Sequence, residues 1–169
     1  MSTKTASVTL DGGHLRFIGR TGSGHRVVLD DSAGDAGPRP AELVPLALAG
    51  CTAMDVISIL RKKRQDVTHY EVRTSGTQRD EAPATFTRLD VVHDIEGPDL
   101  DLAAVRRAIE LSATRYCAVG STLSTGVTEI HHTYVVRDGT GLDEPRIGEV
   151  VILGPNGLVE IPQGEAATV

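Results

Sequence analysis

Between Pro40 and Lys62 the chain reads "PAELVPLALAGCTAMDVISILRK", a helix-length segment that is apolar or small on nearly every side. Pro40 suits a first helical turn, and the basic end complements the helix dipole. Positions 43, 46, 47, 50, 54, 57 and 60 follow the helical period, yet 44, 48, 49, 53, 56 and 59 are apolar or small as well. A helix apolar all round must be buried in the middle of something. The polar exceptions Cys51, Asp55, Ser58 and Lys62 are spaced i, i+4, i+7, i+11 and form one stripe. Pro45 removes a backbone hydrogen bond and clashes one turn back, so the first turn is expected to kink or depart from α geometry.

What surrounds this helix is mostly strand. "SVTL", "LRFI" and "RVVL" are short alternating runs separated by the glycine turns "DGGH" and "TGSG". "DSAGDAGPR" is a polar loop. "HYEVRTSGTQ" and "TFTRLDVVHDIEG" predict a strand pair, and "GPDLDLAAVRRAIELSATRYC" predicts a second helix. Asp99 or Asp101 can cap it, with Leu102, Val105, Ile109 and Ser112/Ala113 facing inward. "TEIHHTYVV" closes a domain expected to span residues 1–137. Residues 138–169 read as an extension: a linker, a β-hairpin around Asn156-Gly157 and a loose tail. The order gives an α+β fold. One sheet cannot cover so apolar a helix, and a second subunit is the simplest further cover.

Composition narrows the function. Seventeen basic and twenty-three acidic residues give a net charge of −6, which argues against nucleic acid. The run Arg61-Lys62-Lys63-Arg64 falls where a helix ends and is read as a dipole complement. "MSTKTASVTL" lacks the apolar stretch of a secretory signal, and Asp55 and the basic run interrupt the longest apolar segment. A soluble, cytoplasmic protein without membrane partners is expected. A structural disulfide is then disfavoured. Without CxxC or HExxH spacing, and with His131 and His132 on opposite faces of a strand, no metal site is expected.

The chain has two cysteines, Cys51 and Cys117. Taken alone, either packs well as a small hydrophobe. Against that, Cys51 lies on the polar stripe of its helix, and its neighbours Gly50 and Ala53 leave room for a ligand or a second sulfur. A peroxidatic thiol must be ionised, and it needs a second thiol to resolve the sulfenic acid it becomes.

"PAELVPLALAGCTAMDVISILRKKRQDV", followed by "RAIELSATRYCAVGSTL" with its cysteine sixty-six positions after the first, resembles the osmotically inducible protein C and organic hydroperoxide resistance (OsmC/Ohr) family. The likeness covers about Ser7 to Val136. It implies an OsmC-like fold, antiparallel strands around two central helices, in an intertwined homodimer. It also implies a thiol peroxidase that reduces organic hydroperoxides, with an external dithiol as reductant and no metal or organic cofactor. Cys51 matches the peroxidatic cysteine and Cys117 the resolving one. The family's active-site glutamate falls at Ala41 here, with Glu42 one residue later. On a straight helix the nine residues from Glu42 to Cys51 turn through about half a revolution net and rise roughly 13 Å. Glu42 can therefore serve a thiol only through a kink at Pro45 or across a dimer. For the catalytic arginine Arg20 is preferred and Arg39 is the other candidate, with Arg16 and Arg26 read as surface strand residues. "CAVGS" stands where the family often has C-P-x-S. His25 is read as an exposed turn residue, with an active-site donor as its other role. The rival function is a non-catalytic, small-molecule-binding or redox-sensing dimer.

Overall fold

The structure is a computed structural model and describes residues 1–12, 14–154 and 157–160, the last four as backbone. The chain forms two compact units, residues 1–44 and 45–169. In the first, β1 (Ala6–Leu10), β2 (Phe17–Thr21) and β3 (Arg26–Leu29) make an antiparallel meander. Gly12 (φ 103°) and Gly24 (φ 87°) take left-handed turn positions that a side chain would strain. β2 starts two residues later than "LRFI" suggests, because Asp11 N–H donates to Arg16 C=O and draws Leu15 and Arg16 into the turn. The polar loop is wrapped on a buried carboxylate. Asp30 accepts from the N–H groups of Asp31 (2.9 Å) and Ala36 (3.1 Å). A Cβ at Gly34 would lie 2.3 Å from Asp30 Oδ2, so the loop closes this tightly only around glycine. The N–H groups of Gly34 and Ala33 hold the Asp31 carboxyl below its ordinary range.

A 3₁₀ turn, Pro40–Glu42, opens α1 (Leu43–Lys62), so the first turn departs from α geometry as the prolines require. Five strands follow in one sheet: β4 (His69–Gln78), β5 (Phe86–Glu96), β6 (Glu129–Arg137), β7 (Arg146–Gly154) and β8 (Gly157–Glu160), ordered β4-β5-β6-β7-β8. The pairs are antiparallel except β5 with β6, which run parallel. A parallel pair needs a long crossover. It is supplied by α2 (Leu102–Leu111), a π-helical turn (Ser112–Tyr116) and α3 (Ala118–Ser124). Asp101 caps α2 through the N–H of Ala103, at 2.9 Å. Asn156 of the expected hairpin turn and the expected loose tail lie outside the described residues.

The core lies between this sheet and the helices. Leu48, Val56 and Leu60 of α1 and Val105, Ala108 and Ile109 of α2 join Leu89, Val91, Ile95, Ile130, Tyr134, Val136, Val151 and Leu153 from the strands. Each such valine, leucine or isoleucine contributes about 1.5–3 kcal/mol through its removal from water. In length and composition Pro40–Lys62 could also cross a membrane, contrary to the estimate from its interrupted apolar run. Here Leu48, Thr52, Val56 and Leu60, one turn apart, form its buried stripe. Cys51 and Asp55 flank that stripe, half-buried, while Leu46 and Met54 point to solvent.

Candidate active site

α1 sets the first half of the site by its period alone. Thr52 is fully buried in the stripe, and Cys51 and Asp55, one turn apart, stand beside it. The second half depends on how α2 ends. At Ser112 the helix widens into a π turn closed by Cys117 N–H to Ser112 C=O (2.8 Å), and Cys117 is extended (φ −70°, ψ 97°). Cys117 thus falls just beyond the end of the helical run, as expected, and becomes the N-cap of α3. Its Sγ accepts from Gly120 N–H at 3.3 Å. Single widened turns of this kind recur at functional sites.

These elements bring together Cys51 Sγ, Cys117 Sγ and an Asp55 carboxylate oxygen, all within 4.8 Å of one another. Both cysteines are free thiols, Cys51 half-buried and Cys117 2 % exposed. Asp55 is tethered from behind. Ser112 Oγ donates to Asp55 Oδ2 (3.1 Å), and Ser112 and Thr52 hydroxyls are 3.0 Å apart. The one proton of Ser112 goes to the carboxylate, so Thr52 donates to Ser112.

Burial pushes the Cys117 thiol up to about 12, against the opposing pull of the Gly120 N–H, with Cys51 and the Asp55 charge pushing the same way as burial. Cys117 therefore keeps its proton at neutral pH and is the donor toward Cys51.

Near the site runs a chain of rings, Tyr70 half-buried and His93 and His132 buried. Tyr70 Oη is 2.8 Å from His93 Nδ1, and His93 Nε2 is 3.2 Å from His132 Nδ1. Burial and the Asp55 charge raise Tyr70, and burial lowers both histidines, so all three are neutral. His132, expected to differ from His131 in facing, does so: His131 Nδ1 instead meets Glu149 at 2.8 Å.

The other residues singled out in the sequence belong to the first unit. Arg20 is exposed on β2, opposite Arg26 of β3. Glu42 pairs with Arg39 rather than Arg20: its carboxylate accepts from Arg39 N–H at 2.8 Å and lies 3.8 Å from the guanidinium. Arg16 bonds Asp11 at 2.8 Å, a surface pair as expected. His25 is exposed in its turn, 3.4 Å from Ser23 Oγ. Asp55, on the polar stripe with Cys51, had been given no role in the site. Its place one turn after Cys51 was the available signal; its hold by Ser112, far along the chain, had none.

Two free thiols from separate helices, packed over a mixed five-stranded sheet, define a protein of the OsmC/Ohr class. The family model for OsmC-like proteins matches residues 32–151, and the chain belongs to that family. Protein YhfA of Escherichia coli strain K12 is 45 % identical over 122 residues, covering 72 % of this chain and 90 % of YhfA. Among solved structures, a hypothetical protein from Aquifex aeolicus VF5 superposes with a TM-score of 0.71 at 24 % identity, covering 80 % of this chain and 97 % of that one. An organic hydroperoxide resistance protein from Elizabethkingia anophelis has the same fold, with a TM-score of 0.57 at 13 % identity over 83 % of this chain and 98 % of its own.

Proposed function

We propose that this protein is a cytoplasmic, homodimeric thiol peroxidase that reduces organic hydroperoxides. The observation that carries this is the approach of the two sulfurs to within 4.8 Å, with only Cys51 open to solvent. The Cys51 thiolate attacks the terminal peroxide oxygen. The O–O bond breaks, the alkoxide leaves and is protonated to the alcohol, and Cys51 becomes a sulfenic acid. Cys117 then displaces the hydroxyl as water, forming a disulfide that an external dithiol reduces. Cys117 acts as a neutral hydrogen-bond donor that steadies the thiolate before reaction. A guanidinium, from Arg20 or from Arg39 in its pair with Glu42, adds charge stabilisation.

Ile57 with the exposed Leu46 and Met54 makes α1 a surface for a carbon-bearing peroxide, while Leu48, expected as a wall, is sealed in the core. With dithiothreitol as reductant, cumene hydroperoxide is expected to show a kcat/KM at least about tenfold above that of hydrogen peroxide, since each buried methylene contributes about 0.8 kcal/mol. Cys51→Ser is expected to consume neither peroxide. Turnover by folded Cys51→Ser equal to wild type would overturn the role of Cys51, and a folded wild-type protein that consumes neither peroxide would leave a binding dimer in the peroxidase's place.

A further inference from the structure

Resolution poses a chemical problem that the peroxide step does not. Cys117 is almost fully buried and holds its proton firmly, yet it must attack the Cys51 sulfenic acid as a nucleophile. A thiol in that state needs a base within reach. Asp55 is the carboxylate that α1 places within 4.8 Å of both sulfurs. Ser112 occupies Oδ2 from behind, backed by Thr52, which fixes the carboxylate and leaves its other oxygen to take a proton.

We propose that Asp55 is the base of the resolving step, taking the Cys117 thiol proton as the disulfide forms. This rests on the peroxidase reading. As Cys117 Sγ bonds to Cys51 Sγ, the Cys117 proton moves to Asp55 and the S–O bond of the sulfenic acid breaks. The departing hydroxide collects that proton and leaves as water, returning Asp55 to the carboxylate. Cys117 sulfur is oxidised, Cys51 sulfur is reduced, and no further reagent is consumed. Transfer accompanies bond formation, so no buried thiolate accumulates beside the Asp55 charge. Burial keeps Cys117 protonated beforehand, with the Asp55 charge pushing the same way, and so keeps it out of competition for peroxide.

The test is single-turnover kinetics on full-length Asp55→Asn with cumene hydroperoxide. Sulfenic acid at Cys51 is counted by dimedone trapping, and disulfide by acid quench and mass spectrometry. Asn keeps the shape and an acceptor for Ser112 but cannot take the proton. Sulfenic acid is expected to form within about threefold of wild type, and disulfide formation to slow by about 100-fold, the usual contribution of a positioned base. Ser112→Ala, which keeps the carboxylate but frees it, is expected to slow the same step by a smaller factor. It serves as the second test should the Asn variant not fold. Disulfide formation at the wild-type rate in both variants overturns the assignment of Asp55 and leaves the peroxidase reading intact. Slowing confined to sulfenic acid formation also overturns it. Absence of sulfenic acid and disulfide in wild type itself overturns the reading beneath.

Discussion

Single residues divide the labour here by burial. Cys51 is half-buried and can meet a substrate; Cys117 is sealed and protonated. Burial acts on His132 as well, holding it down to about 4, with His131 contributing. The sign is that of a group whose folded-state affinity for protons is depressed. Unfolded, His132 takes a proton near pH 6.5; folded, it does not until about 4. Its contribution is complete above pH 6.5 and is lost as pH falls from there to about 4, amounting to about 3 kcal/mol at the lower end. His93 acts in the same direction. His132→Gln is accordingly expected to flatten the fall in thermal midpoint between those pH values. Parallel curves for variant and wild type would show that His132 is not the group being titrated.

Among the elements, β7 ties the end of the chain into the core. It pairs with β6 along Arg146–Leu153, and Val150, Val151 and Leu153 join the hydrophobic cluster. Gly148 lets the strand approach Tyr134: a Cβ there would lie 2.7 Å from the phenol oxygen. Truncation after Arg137 therefore removes core as well as linker. It is expected to abolish cooperative thermal unfolding, and a truncated chain melting at the full-length midpoint would contradict this. Such pairing was only partly legible in the sequence. β4 was readable to the residue because its alternation is regular and its flanks are polar. α1 was readable because its apolar run is of helix length and ends in a basic turn, but its burial along one stripe only, with Leu46 and Met54 exposed, was not. The parallel pairing of β5 with β6 was not, since partner choice is a long-range matter that period-2 patterning does not encode. Nor was the π turn before Cys117. Ser112 and Ala113 continue the helical period, and the widening goes with long-range contacts of Ser112 to Asp55 and Thr52. The Glu42–Arg39 pair also escaped, because arginine is no preferred cap.

At the scale of the whole molecule, apolar surface remains uncovered in each unit. Leu46 and Met54 on α1 are 63 % and 75 % exposed, and Val8 and Leu10 on β1 are 59 % and 58 % exposed. Patches of this kind mark interaction sites, and a symmetric pair of chains is the simplest partner. Sedimentation at micromolar concentration is expected to give about twice the 17.9 kDa chain mass. A well-folded monomer under those conditions would remove the dimer from the proposed function.

Chemistry between the two sulfurs is tested most directly by mass spectrometry of the wild-type protein after a short pulse of organic hydroperoxide. The expected product is a Cys51–Cys117 disulfide within one chain, reversed by dithiothreitol, while Cys117→Ser consumes about one equivalent and stops at a Cys51 sulfenic acid. Folded protein in which both thiols stay free after the pulse would contradict the peroxidase.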